Sequence, residues 1–394
     1  MRFDPVGGMA NQLRQISAEL ARRGFRETVL TLGNSDSPQR LRASPTTDVR
    51  AARAPWPPIR SELSGTFGLV YSWAIAVTAW LLRNGWRLDR TYDVVHVNFD
   101  GTLAPPMVLL VAKRCTRLPI IVTLNCCRGA TLHREPERRG AADRWKDRFE
   151  LRALRAADKI QCITERTADY LIRHGIAASR VTVIEDLVDT TRFRRDAAAS
   201  AAMRRRFNVP SDATVVLFAS RVSWEKGWEY FLDAAALMRD RTDYLFVISS
   251  GGLQQKRLLR RIAELRLRNV ILTGYLEHDD MPAALGMADV FVFPSKYEEL
   301  GSTLLEVMAV GVPIVGARVG GIPEVLDYGR AGLVVESESG AAIVEAIERI
   351  TSDQGLQESL RENARRQIDA RYDKEIVLKK IERMYASVMP AARR

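Results

Sequence analysis

The chain has 394 residues, of which 46% are apolar and 27% charged, and its formal net charge is +11. That length and apolar content supply two ordinary domains and exclude a chain too small to bury a core. The four cysteines, Cys115, Cys126, Cys127 and Cys162, have no zinc spacing, vicinal Cys126-Cys127 is a poor disulfide, and the histidines are scattered, so the pattern is that of a reducing, cytoplasmic protein without a visible metal cluster.

The charge is uneven. Residues 1–190 carry 29 Lys and Arg against 20 Asp and Glu, and the remainder 30 against 28. A basic first half can face anionic lipid or an anionic acceptor, or simply decorate a soluble, Arg-rich surface. No signal-peptide pattern opens the sequence.

Gly7-Gly8 precede an amphipathic helix with Leu13, Ile16 and Leu20 on one face, stopped by Gly24. Only Met1–Val6 stand before these glycines, so a strand there is very short or the start lies upstream. Thr28–Leu32 reads as a strand, and residues 34–60, rich in Ser, Pro and Arg, as a mobile surface loop. Leu63–Leu82 is uncharged and long enough to span a bilayer. Its Ser64, Gly65, Thr66, Ser72 and Thr78 favour a buried helix, or one lying on a membrane, over a crossing. Trp73, Trp80 and Trp86 suit an interface or a packed core.

Val94–Val97 and Ile120–Leu124 are further strands, with a helix between them starting near Pro105-Pro106. Ile160–Thr164 and Val181–Ile184 alternate with helices around 144–156 and 165–174. This βα alternation predicts a Rossmann-like domain over 1–190, followed by a linker over 191–212. A second such domain is expected over 213–369, then a helix over 370–394.

In the second domain Val215–Ala219 is a buried strand, and Arg221 and Lys226-Gly227 follow its carboxyl end ahead of a helix near Trp228. Two cations there can clamp a diphosphate, Arg as a planar fork and Lys as a point charge, although an ordinary basic loop looks the same. Leu245–Ile248 leads to Gly251-Gly252, and Val270–Thr273 to Gly274-Tyr275. Asp279-Asp280 before Pro282 reads as a helix cap and not as a metal site.

The chain is organised around Met287–Leu326. Val290–Phe293 is a short buried strand closed by Pro294-Ser295. A loop, Lys296–Gly301, carries Glu298 and Glu299. Ser302 and Thr303 stand at N-cap positions ahead of a helix bearing Glu306 in its first turn, and Gly311 and Pro313 end it. Pro313–Ala317 is the next strand, and Gly320-Gly321 turns into a helix near Pro323-Glu324. Free amides at a helix start bind anions. An acid in a first turn is mildly stabilising on its own, and Glu298-Glu299 can be a solvated pair, so spacing alone leaves bland and functional readings open.

Pro294-Ser295, Glu298, Gly301, Glu306, Gly311-Val312-Pro313 and Gly320-Gly321-Ile322-Pro323-Glu324 together resemble the Glu-x7-Glu signature of the retaining nucleotide-sugar glycosyltransferases of GT-B fold, group 1, family 4. The family's Arg-x4-Lys-Gly stands here as Arg221 and Lys226-Gly227. The resemblance covers nearly the whole chain and is strongest over 215–327. It implies an α/β protein of GT-B fold, two Rossmann-like doubly wound parallel sheets facing across a cleft, with the last helix crossing back to the first domain.

The resemblance also implies the chemistry. A hexosyl residue passes from a UDP- or GDP-sugar to an acceptor hydroxyl with retention, in bacterial polysaccharide or glycolipid synthesis. Arg221, Lys226 and the Gly301–Thr303 helix start would neutralise the leaving diphosphate, with no metal or cofactor. Glu298 with Leu300 and Gly301 would hold the sugar, Glu306 the ribose, and Gly274-Tyr275 the nucleobase. Gly7 and Gly8 would approach the donor phosphate or acceptor, and the family is thought to use the donor phosphate itself as base.

The expected partners are the nucleotide sugar, a glycan or lipid-linked acceptor and an anionic membrane surface, not nucleic acid. The expected location is the cytoplasm, peripheral on the inner face of the membrane. Two positions depart from the pattern. Asn125 stands where a His commonly reaches the donor sugar, and Glu185–Asp189 replaces Pro-Asn-Gly-Val-Asp, with Leu187 for a turn glycine. A glycosidase using Glu298 and Glu306, or a non-catalytic nucleotide- or glycan-binding protein, are the alternatives.

Overall fold

The computed structural model describes residues 8–32, 40–42, 46–52, 65–132, 140–251 and 254–389. Gly7, Gly252 and the expected first strand lie outside them. The chain forms two compact units, Met1–Glu185 with Val377–Arg394, and Asp186–Ile376.

The first unit runs α1 (Gly8–Arg22), β1 (Glu27–Leu32), β2 (Arg40–Arg42), β3 (Thr47–Ala52), α2 (Gly65–Thr91), β4 (Val95–Asp100), α3 (Ala104–Cys115), β5 (Ile120–Cys126), α4 (Ala141–Leu154), β6 (Lys159–Cys162), α5 (Glu165–Arg173) and β7 (Val181–Val183). Strands β4-β5-β6-β7 form a parallel sheet in that order. Ile120, Ile121, Val122 and Leu124 of β5 are fully buried, the continuous apolar run of a strand covered on both faces.

The other sheet has the order β1-β3-β2, with β3 parallel to β1 and antiparallel to β2. Two of its strands fall inside the stretch 34–60 expected to be a mobile loop. That expectation is corrected for Arg40–Arg42 and Thr47–Ala52, which pair through backbone hydrogen bonds that Arg-rich side chains do not advertise.

The second unit runs α6 (Ala197–Arg206), β8 (Thr214–Ala219), α7 (Trp228–Leu237), β9 (Tyr244–Ser249), α8 (Gln255–Glu264), β10 (Val270–Gly274), α9 (Met281–Gly286), β11 (Val290–Phe293), α10 (Ser302–Val310), β12 (Ile314–Ala317), α11 (Ile322–Val325), β13 (Leu333–Val335), α12 (Gly340–Ser352) and α13 (Gln354–Gln367). Its all-parallel sheet has the order β10-β9-β8-β11-β12-β13. The chain winds outward from β8 to β10, then returns to β11 on the other side of β8. The strand order therefore reverses between β8 and β11, where open α/β sheets bind ligands.

The stretch 191–212 is not a bare linker. It holds α6, whose N-cap Asp196 accepts from the Ala199 amide and whose Arg204 pairs with Asp289 at 2.8 Å, so it belongs to the second unit. The C-terminal helical pattern is also interrupted. After a π-helical turn, Ile368–Tyr372, Asp373 bridges to Val188, and α14 (Lys374–Val388) begins.

From Val377 onward α14 is part of the first unit. There Lys380 pairs with Glu185 at 2.7 Å and Arg23 with Glu382 at 2.9 Å. The Tyr385 hydroxyl lies 2.8 Å from His96 Nδ1, and His96 Nε2 lies 2.7 Å from Thr123 Oγ1. Thr123 donates to Gln161, and Gln161 to the Ile184 carbonyl, so one polar chain crosses β4, β5 and β6. Burial lowers the His96 pKa to about 4, which keeps the ring neutral.

Candidate active site

The site of the second unit is built from the loops after β8 and β11. Gly227 has φ +65°, and a Cβ there would stand 1.9 Å from the Pro294 carbonyl oxygen. Only glycine lets the first loop close on the end of β11. Gly320 does the same for a third loop, since a Cβ on it would stand 1.6 Å from the Glu298 carbonyl oxygen. The Lys296 amide donates to the Glu225 carbonyl at 2.8 Å, which ties the first two loops edge to edge.

This closure brings Lys226 and Glu298 together, Nζ to Oε2 at 2.6 Å, each side chain only 15% exposed. The Lys226 ammonium also sits 5.7 Å from the Phe293 ring centroid. Lys226 is thus enclosed rather than displayed on an open loop. Arg221 is the displayed cation, 58% exposed and 3.4 Å from Glu225. Trp224, exposed between these cations, packs edge-on against Tyr297 at 5.1 Å, an aromatic pair beside the Lys226–Glu298 bond that spacing did not reveal.

The start of α10 differs from expectation. Gly301, left-handed at φ +91°, is the N-cap residue, and Ser302 and Thr303 are the first helical residues. With no capping side chain, the Ser302 and Thr303 amides remain available to an anion, while the Leu304 amide donates to the Gly301 carbonyl at 2.7 Å. The Ser302 hydroxyl donates instead to Asp186 at 2.5 Å. Asp186 is buried, and burial raises its carboxyl to about 6; Ser302 opposes this and the Glu298 charge adds to it. Sequence reasoning assigned Asp186 no role, although an acid at the family's Asn position was the signal. Leu187 of the same segment is buried with negative φ, so it makes no glycine-like turn.

Glu306 lies just past the first turn of α10, not within it. It is half-buried, and loss of water raises its carboxyl to about 7, with Arg192 opposing. Leu300 is buried beneath the loop. Gly274 ends β10 at φ +74°, and Tyr275 beside it is 66% exposed. Asp280 is the N-cap residue of α9 but makes no side-chain cap; it pairs with Arg206, and Asp279 with Arg192. Among the described residues no group of three or more His, Cys, Asp or Glu is placed to hold a metal ion.

Asn125 and Gly8 belong to the first unit. Strand β5 does not end at Leu124 but runs to Cys126. Leu124 pairs with Phe99 and Cys126 with Asp100, so Asn125 is the extra residue of a β-bulge. Bulges re-aim side chains and often lie next to active sites. The Asn125 amide donates to Asn98 at 3.3 Å. Gly8 opens α1.

Two α/β units, each built around a parallel sheet, have the architecture of the GT-B glycosyltransferases. Residues 200–367 match the model of glycosyl transferases group 1, and residues 6–192 that of glycosyltransferase family 4. The chain is 35% identical over 359 residues to the 2-deoxystreptamine N-acetyl-D-glucosaminyltransferase of Streptomyces fradiae, covering 87% of this chain and 82% of that one. Its fold is similar to sucrose-phosphate synthase from Thermosynechococcus elongatus, with TM-score 0.81 at 22% identity over 97% and 94% of the two chains. It is also similar to Anabaena Alr3699/HepE in complex with UDP, with TM-score 0.75 at 18% identity over 98% of each. The chain belongs to the group 1, family 4 glycosyltransferases.

Proposed function

We propose that the protein transfers a hexosyl residue from a UDP-sugar to a hydroxyl of a small, amine-bearing cyclic polyol, with retention at the anomeric carbon. The observation that carries the donor half is the Lys226–Glu298 pair at the strand-order reversal. Lys226 has three N–H donors and gives one to Glu298, so two can meet the oxygens of a diphosphate. Arg221 and the first amides of α10 add positive potential where the leaving group gathers charge. Glu298, held by Lys226, presents its other oxygen to sugar hydroxyls beside the Leu300-Gly301 backbone. Glu306 takes the ribose hydroxyls, and Gly274-Tyr275 the base. The bond from the anomeric carbon to the phosphate oxygen breaks, its electron pair leaves with the diphosphate, and the acceptor oxygen bonds to the same face while its hydroxyl proton passes to the departing phosphate oxygen.

The UDP assignment is supported by the UDP complex of a protein of the same fold, and the acceptor by the 2-deoxystreptamine of the Streptomyces fradiae enzyme's name. A second reading, a glycan or lipid-linked anionic acceptor, is favoured by the basic excess of residues 1–190. The test is incubation with UDP-glucose or UDP-N-acetylglucosamine and either 2-deoxystreptamine or an anionic lipid-linked sugar. Product mass identifies the acceptor, and the anomeric proton coupling reports retention. Transfer to the lipid-linked sugar alone would select the second reading, and UDP binding without transfer to any acceptor would remove both.

A further inference from the structure

Helix α2 has one face packed into the first unit and one that nothing among the described residues covers. Ala74, Val77, Leu81 and Leu88 are buried in the core. At 100° per residue they cluster on one side, and the opposite side carries Ile75, Ala79, Leu82 and Trp86 in a single stripe. Ile75 is 46%, Leu82 68% and Trp86 60% exposed, and Ala79 is exposed as well. Arg83, Arg87 and Arg90 form an adjoining exposed band, with the Arg87 guanidinium 4.5 Å from the Trp86 ring centroid. The two bands share about 22 Å of helix.

The surroundings extend the positive charge. Gly85 meets the end of α3 so closely that a Cβ would stand 2.6 Å from Cys115 Cβ. That contact lies on the flank of α2 away from Arg83, Arg87 and Arg90, beyond the apolar stripe, and exposed Arg114 and Arg117 stand at that end of α3. Asp89, the one acid of α2, is occupied by the Thr116 hydroxyl and the Arg117 amide. No helix among the described residues is long and apolar enough to cross a membrane.

We propose that this face of α2 docks the enzyme on an anionic lipid surface. Leu82, Ile75 and Trp86 enter the boundary between headgroups and acyl chains, and the arginines meet the lipid phosphates. An amphipathic helix with aromatic and leucine residues beside a basic band has the chemistry of such an interface. A polyanion matches the arginines but leaves the apolar stripe in water. A second copy of this chain covers the stripe but sets one arginine band against another. Only an anionic bilayer surface satisfies both bands. The assignment is independent of the acceptor, so its failure leaves the transferase reading intact.

The test is co-sedimentation of the full chain with vesicles of phosphatidylcholine alone and of equimolar phosphatidylcholine and phosphatidylglycerol. Wild type should sediment with the anionic vesicles, weaken as salt rises, and blue-shift its tryptophan emission. Arg83→Gln with Arg87→Gln should lower partitioning about fivefold per charge at low salt. Leu82→Ser with Trp86→Ser should lower it at every salt concentration and abolish the shift. All variants should melt with wild type and keep its transferase activity in solution, since these side chains face water. Wild type that stays in the supernatant, or variants that bind as well as wild type, would overturn the proposal. So would sedimentation velocity showing a dimer that Trp86→Ser dissociates while lipid binding is absent.

Discussion

Ser302 donates its hydroxyl to Asp186, and this bond joins the start of α10 to the segment that opens the second unit. Because Asp186 holds its proton up to about pH 6 in the folded protein but releases it near 3.8 otherwise, the folded state binds more protons in between. Stability therefore declines as pH rises through that window.

Asp186→Asn keeps an oxygen for Ser302 and removes the ionisation. The variant should melt above wild type at pH values past about 6 and match it below 3.8. Parallel melting curves across that range would show that Asp186 ionises without cost.

Lys226→Ala and Arg221→Ala should each lower transfer on the order of a hundredfold, because each removes positive charge from a departing diphosphate. Their stabilities should part. Lys226→Ala leaves Glu298 enclosed without its cation and should lower the melting temperature, whereas exposed Arg221 can be removed with little change. Kinetics and melts of the two variants side by side check both statements, and near wild-type turnover in either removes its charge from the diphosphate role.

Glu306 ionises near pH 7, and its carboxylate accepts stronger hydrogen bonds from ribose than its neutral form. UDP affinity, measured by calorimetry, should rise with pH through that value in wild type and stay flat in Glu306→Gln. Glu298→Gln should spare free UDP and weaken the UDP-sugar. Equal losses for both ligands in both variants would mean that the two roles are wrongly divided.

Asn125, aimed by a bulge, can give the donor sugar one neutral hydrogen bond, so Asn125→Ala should cost roughly 0.5–1.5 kcal/mol, a rate loss of about two- to tenfold. An amide does not titrate, so the wild-type rate should show no inflection from this position. Asn125→His should fold, because the residue is only half-buried. An inert wild type beside an active Asn125→His would make the chain a binding protein.

The second unit was the more legible half. Its strands are buried on both faces, so they stand out as apolar runs such as Val290–Phe293, and the turn glycines punctuate them. Arg221, Lys226 and Glu298 are found in the loops where spacing put them, and Glu306 stands just past the first turn of α10 rather than within it. What spacing could not carry was side-chain pairing across distant segments, such as Lys226 with Glu298 or Ser302 with Asp186. The strand Thr47–Ala52 is faint for another reason: Asp48, Val49, Arg50 and Ala51 do alternate, but Val49 is its single large apolar residue, and pairing with β1 and β2 makes it a strand. Asn125 stands out for its chemistry, but a bulge depends on the partner strand's register and leaves no mark in one segment.

The return of the chain at Val377 fixes an order of events during synthesis. Residues 186–376 are complete on leaving the ribosome and can close their sheet while the last helix is still being made. The first unit, although translated earlier, still lacks Tyr385 beside His96 and Lys380 beside buried Glu185. A nascent chain halted before residue 377 therefore presents a finished second unit and an unfinished first one, and residues 1–185 expressed alone inherit the same defect.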